Sequence, residues 1–342
     1  PNLVFTAADA PAIRSRLSKE FGGIEKIGDR NLAVFFTGDE AAKRQATADF
    51  VVYWKKYSER WQKDNLEDHP EWIDGVALRG VRRSLLLYDV VASYGYLTPA
   101  QTREFRDGLV RAIEFAIGHD AAHPRITTSD KFRTMNIWTD IVAAAGLTGL
   151  AFPELPQSRP WIEFAVREIN RQLAQYVWDG CWHESTRYHA AMLEIVGVFF
   201  EVLERRTGVN LFVHPQFQAM LDWLVRFQTP LDRAAGPSLG HPEGVALLPG
   251  IGDSSWVAHS FGVAAMFAPH YVKSHPRLAG RIMWTWQRAG RPWEGDSVEW
   301  ARLLIDPAIP AVPSVLGSDL SAGKGYVVMR SGFATPDEIW FL

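Results

Sequence analysis

Cysteine is all but absent from this chain: Cys181 is the only one in 342 residues. A single thiol excludes an internal disulfide framework. Charge of one sign is missing too. Lys and Arg number 36 against 39 Asp and Glu, a formal net charge of -3. Bulk electrostatics therefore gives no argument for nucleic acid, and an anionic ligand needs a local basic cleft instead. No apolar run is long enough to span a bilayer, and no signal segment is visible. The chain opens on Pro1 rather than Met, so that last absence decides nothing about compartment. A Walker loop, a dinucleotide fingerprint, a nucleophile elbow and a His-Glu-x-x-His zinc helix are all missing. Cys181 lacks a thiol-protease context and reads as a core or loop residue.

What the chain does have is tryptophan, 14 of them, and helical periodicity. Most of the Trp residues fit a helical core, and an exposed one would offer a sugar-stacking face. The order begins with an extended piece at Asn2–Thr6 and a short helix. Helical patterns follow at 39–62, up to Tyr96, and from Pro99, where Thr98 and Gln101 form a capping box. Further patterns cover 136–150, 162–176, 186–203 and 217–227. A Gly/Pro-rich loop is expected over 235–252, then helices over 254–270, 272–289 and 294–305. A succession of antiparallel helix pairs is the natural packing of such a chain. After Pro307, Pro310 and Pro313, segments 325–333 and 338–342 read as two β-strands around a turn. Two strands alone are marginal. The expectation is therefore a helical domain over 1–315 and the start of a β domain over 316–342, in a chain that is part of a longer protein.

The most chemically crowded stretch is Asp179-Gly180-Cys181-Trp182-His183-Glu184-Ser185-Thr186-Arg187-Tyr188-His189. It breaks one helical pattern and opens another, and turns held by a rigid scaffold are where chemistry tends to sit. Tyr188 is the candidate acid–base residue, with Arg187 beside it. His183, Glu184 and His189 are a conceivable zinc set, but their irregular spacing is a weak metal signal. Asn136 opens a helix after Asp130, Lys131 and Arg133, and would ordinarily be a capping residue. Asp253 is an N-cap candidate for the helix through His259. His241 and His259 stand alone. No metal or cofactor is expected.

Several segments together resemble the heparinase II/III-like superfamily of polysaccharide lyases, which includes alginate lyases. They are Pro1–Thr6, Met135-Asn136-Ile137-Trp138, Asp179–Glu184 with Tyr188-His189, Ile251–Ser254 and Val328–Phe333. The resemblance implies an (α/α) toroid followed by an antiparallel β-sandwich. It implies that Asn136 neutralises a uronate carboxylate and that Tyr188 transfers protons. Arg133, Glu184, Arg187, His189 and His241 are then substrate-binding candidates. Some members carry His where this chain has Asn136, and a further His commonly comes from the sandwich. The implied partner is an anionic polysaccharide of alginate or glycosaminoglycan type, and the implied location is periplasmic or secreted.

The chemistry fits the residue types. Eliminative cleavage removes a proton from the carbon next to the uronate carboxylate and expels the glycosidic oxygen from its neighbour. A donor on the carboxylate stabilises the developing enolate, as an oxyanion hole would. A Tyr ordinarily ionises near pH ~10, and nearby Arg charge favours its phenolate. Two other readings compete. A glycoside hydrolase would need paired carboxylates, for which Asp130, Glu184 and Asp253 are the candidates. A non-catalytic carbohydrate-binding toroid would need neither.

Overall fold

Apolar residues at helical spacing give helices through most of the chain, and the class is mainly α with a few short strands, as expected. The computed structural model describes residues 3–21, 23, 30–63, 75–122, 136–251, 260–292, 301–331 and 340–341. The helices are α1 (Ala10–Glu20), α2 (Arg30–Thr37), α3 (Glu40–Gln62), α4 (Gly75–Ala92), α5 (Pro99–Ala122), α6 (Asn136–Ala151), α7 (Ser158–Tyr176), α8 (Thr186–Thr207), α9 (Pro215–Arg226), α10 (Ser260–Phe267), α11 (Pro276–Arg288) and α12 (Ala301–Leu304). The strands are β1 (Val177–Trp178), β2 (Cys181–Trp182), β3 (Leu231–Asp232), β4 (Val245–Ala246), β5 (Asp319–Ser321), β6 (Tyr326–Arg330) and β7 (Trp340–Phe341). No helix among the described residues is long and apolar enough to cross a membrane. The chain forms two compact units, Pro1–Asn170 with Val198–Asn210, and Arg171–Gly197 with Leu211–Leu342.

The first unit is built around α6. Its residues from Trp138 to Leu150 are all buried, the mark of a helix that is apolar on every face. It packs against α4 and α5, and α3 packs against both of those. Gly146 permits the close approach: a Cβ there would sit 2.7 Å from the Ala165 Cβ and against the Phe199 ring. Two polar contacts cross this core. Arg82 Nε donates to Asp140 Oδ1 at 2.8 Å, with both side chains almost wholly buried. Trp138 Nε1 donates to Glu168 Oε1 at 3.0 Å.

Local signals start the helices. The Asp39 carboxylate accepts from the N–H groups of Ala41 and Ala42 and caps α3. The capping box at α5 is formed in both directions. Thr98 N donates to Gln101 Oε1 at 2.9 Å, and Gln101 N donates to Thr98 Oγ1 at 3.2 Å. At the N-terminal end, Leu3, Val4 and Phe5 are buried without strand pairing, and Leu3 N donates to Asp89 Oδ2 at 2.6 Å.

The second unit centres on α10, buried along its whole length and packed on α9, α11 and α12. Phe212, Phe217 and Phe267 pack edge to face or tilted around it, and the Tyr271 hydroxyl donates to the Phe212 carbonyl at 2.9 Å. The segment expected as a plain loop over 235–252 carries more order than that. β4 pairs antiparallel with β3 (Leu231↔Ala246, Asp232↔Val245), and a 3-10 turn spans Pro237–Leu239. Two-residue strands leave no alternation for a sequence pattern to display. The tail forms the antiparallel sheet β5-β6-β7, in which β5 was not anticipated. Along β6, Val328 is buried between exposed Val327 and Met329.

Candidate functional site

Asp179 and Gly180 do more than end a helix. They are the two central residues of a hairpin whose strands β1 and β2 pair Val177 with Trp182 and Trp178 with Cys181. Both have positive φ, 50° at Asp179 and 84° at Gly180. A two-residue hairpin in a type I′ turn requires that, and Asp-Gly is its preferred sequence. Gly180 is also needed for space, because a Cβ there would run into the Ala219 carbonyl oxygen on α9. One further bond extends the ladder, from His183 N to the Tyr176 carbonyl at 3.0 Å.

The hairpin delivers the chain to the N-terminus of α8. His189 N donates to the Ser185 carbonyl at 3.0 Å, the first helical bond, and Tyr188 N lies 3.5 Å from Ser185 Oγ. Ser185 thus stands at the N-cap with Tyr188 in the first turn. Thr186, fully buried, donates through Oγ1 to the Pro249 carbonyl at 2.6 Å. The loop that Pro249 belongs to is itself fastened. Thr229 N donates to the Leu247 carbonyl, and Leu247 N donates to Thr229 Oγ1, both at 2.9 Å.

His189 is committed to the fold. It has no exposed surface, its Nδ1 accepts from Trp182 N at 3.0 Å, and its Nε2 lies 3.1 Å from the Met220 carbonyl. A carbonyl only accepts, so Nε2 carries the proton and Nδ1 does not. Burial holds the imidazole down to about 3 and keeps it neutral. Its ring therefore ties β2 and α9 to the first turn of α8. With both nitrogens occupied it does not join His183 and Glu184 as a ligand set. Cys181, equally buried, has its thiol pushed up to about 12 by burial.

The remaining candidates sort by place. Glu184 is partly buried, and its Oε2 accepts from Trp182 Nε1 at 2.8 Å. Arg187 is exposed and Tyr188 partly buried on the first turn of α8. His241 Nε2 donates to the Gly290 carbonyl at 3.0 Å, and its Nδ1 lies 3.3 Å from Glu243 Oε1. Tyr188, Glu184, Arg187, His189 and His241 all belong to the second unit. Asn136 opens α6 in the first unit and is 2% exposed. Arg133, Asp130, Asp253 and His259 lie outside the described residues.

One group at this turn was not foreseen. Lys324, in the bend between β5 and β6, donates through Nζ to the carbonyls of His183 at 2.5 Å and Glu184 at 3.0 Å. Burial lowers this ammonium below the usual lysine range. Next to it, Gly323 N donates to Asp179 Oδ2 at 2.6 Å. Arg226 adds a third tie, from Nη1 to Asp319 Oδ2 at 2.6 Å and from Nη2 to the Asp179 carbonyl at 3.2 Å. Nothing local in Ala322-Gly323-Lys324-Gly325 marks that role, since the partners lie 140 and 141 positions away.

A family model described as "Heparinase II/III N-terminus" matches residues 125–273. The span takes in Asn136, the hairpin, Tyr188 and His241, and it bears out the resemblance that the motifs suggested. No curated protein matches the chain.

Proposed function

We propose that this protein cleaves a uronate-containing polysaccharide by β-elimination, because the heparinase II/III N-terminal family model that matches residues 125–273 suggests a polysaccharide lyase family. The observation that carries the reading is the matched span, which holds both Asn136 and Tyr188. Tyr188 is the proton-transfer residue. Its phenolate takes the proton from the carbon next to the carboxylate, and the carbon–oxygen bond to the leaving sugar breaks as the ring double bond forms. The same phenol then returns a proton to the leaving oxygen when both lie on one face of the sugar, as in glucuronate or mannuronate. Asn136 donates to the carboxylate and offsets the charge that builds on it in the enolate.

The fold around Tyr188 supports the assignment. A proton-transfer group must be held in place to be effective. The hairpin, the Ser185 cap and the Thr186–Pro249 bond fix the first turn of α8 from three sides. In this reading Arg133, Arg187, Glu184 and His241 contact the polymer, and His189 holds the turn from behind. The substrate is an alginate or glycosaminoglycan type of polymer, met in the periplasm or outside the cell.

The test is a panel of uronate polymers followed by ultraviolet absorbance of unsaturated sugar ends. Activity on one of them, reduced by about 100-fold or more in Tyr188→Phe with melting temperature unchanged, is the expected result. Full activity in Tyr188→Phe removes the tyrosine from the mechanism. Products without unsaturated ends replace elimination by hydrolysis.

A further inference from the structure

The bend between β5 and β6 reaches the segment that carries Tyr188 at two separate points. Lys324 Nζ donates to the carbonyls of His183 and Glu184, the last two residues before the Ser185 cap. Gly323 N donates to the Asp179 carboxylate at the tip of the hairpin. One grip is therefore on the hairpin and the other on its exit into α8. Arg226 joins the same elements, bridging Asp319 of β5 and the Asp179 carbonyl. All these residues lie within the second unit.

Two carbonyls converging on one ammonium are an arrangement an apolar side chain does not reproduce. Lys has three donors and no acceptor, so it can serve both oxygens at once and keep one N–H over. Hydrogen bonds from a charged donor are roughly twice as strong as neutral ones. The ammonium also stands 5.3 Å from the centroid of the Tyr326 ring, which supports it from β6. The groups near it include the two carbonyls, that ring, Glu184, the buried Cys181 and His189. A purely packing role would be met by any side chain of this length. This one instead sets the direction of the two peptide groups from which α8 departs.

We propose that Lys324 is a positioning residue for Tyr188, so that the β5–β6 bend is a working part of the site. The proposal rests on the lyase reading for its kinetic consequence, though not for its structural one. Displacement of a reacting group by ~1 Å can cost about 100-fold in rate. The ammonium acts on where the tyrosine stands and does not touch the sugar, so its loss falls on kcat and spares KM.

The experiment compares the full wild-type protein with its Lys324→Met, Lys324→Arg and Asp179→Gly variants. The last releases the second grip without strain at its positive φ. Each is followed by kcat, KM, melting temperature and fluorine NMR of protein labelled with 3-fluorotyrosine, with the Tyr188 resonance assigned by its loss in Tyr188→Phe. Expected are a fall in kcat of about 10- to 100-fold in Lys324→Met with KM within about twofold. Partial recovery in Lys324→Arg, a smaller fall in the same direction in Asp179→Gly, and a moved or broadened Tyr188 resonance complete the pattern. An active wild type with kcat unchanged in Lys324→Met overturns the proposal and leaves the lyase reading standing. A wild type inactive on every polymer, with the Tyr188 resonance still moved by Lys324→Met, removes the lyase reading and leaves the positioning role. If Lys324→Met does not fold, the Asp179→Gly and Lys324→Arg variants decide by the same criteria.

Discussion

The Thr186 hydroxyl donates a 2.6 Å hydrogen bond to the carbonyl oxygen of Pro249, joining the first residue of α8 to the loop that follows β4. Both residues are buried. Thr186→Val keeps the shape, removes the donor and leaves the carbonyl without it. A buried acceptor stripped of its partner costs about 1–3 kcal/mol. Urea denaturation should register that loss, and Thr186→Ser should recover most of it.

Gly180→Ala should destabilise by more than ~1 kcal/mol, since the substitution is strained in φ and also short of room. Its new methyl meets the Ala219 carbonyl. Thermal unfolding measures the cost. A stability unchanged from wild type would mean that the hairpin can move off α9.

Two buried groups give the stability a pH dependence of opposite signs. The His189 value is lowered from 6.5 to about 3, so the unfolded chain takes up a proton that the folded chain refuses. Its contribution is complete above about 6.5 and is lost as pH falls toward 3, with a limiting slope of ~1.4 kcal/mol per pH unit. The Asp89 carboxyl is raised from 3.8 to about 6 by burial, against the lowering effect of the Leu3 N–H. Its contribution is present below 3.8 and is lost as pH rises through 6. The two therefore oppose each other between those values. Asp89→Asn should be more stable than wild type at neutral pH, by roughly 1–2 kcal/mol. It should also steepen the acid-side loss, both read from denaturation curves taken over about pH 4 to 8.

The Arg82–Asp140 pair sets up a double-mutant cycle in the first unit. Both side chains are almost wholly buried and 2.8 Å apart. Removing one partner leaves an uncompensated charge, so Arg82→Met should cost about 3–5 kcal/mol. The double variant Arg82→Met with Asp140→Leu should lose less than the two single losses added together. Equality of the double loss with that total would show the pair to be uncoupled.

Asn136→Ala should lower kcat by about 100- to 1,000-fold if the amide stabilises the enolate, as loss of an oxyanion donor does. Asn136 is 2% exposed, so its melting temperature must be followed alongside. A fall in stability with kcat per folded molecule unchanged would make Asn136 a core residue only.

Much of the helical order was legible because its causes are local. Thr98-Pro99-Ala100-Gln101 predicts the start of α5, and the box it forms is there. The helix expected over 136–150 is there as α6. The β1–β2 hairpin was legible only as a turn. Its strands are two residues each, too short to alternate, although Asp-Gly between Val-Trp and Cys-Trp is the signal that names it. That Tyr188 lies at the start of a helix was legible from its neighbours. Lys324 was not, since its role depends on carbonyls that only folding brings to it. The commitment of both His189 nitrogens was equally hidden, because a sequence displays an imidazole and not what its ring faces.

Cys181 gives the site its own clock. The chain has one thiol, it is buried in β2, and its value near 12 leaves almost no thiolate at neutral pH. Alkylating and disulfide-exchange reagents attack the thiolate. They can reach it only in molecules in which the structure around β2 has opened. The labelling rate of the native protein therefore counts those openings, one molecule at a time, without an inserted probe.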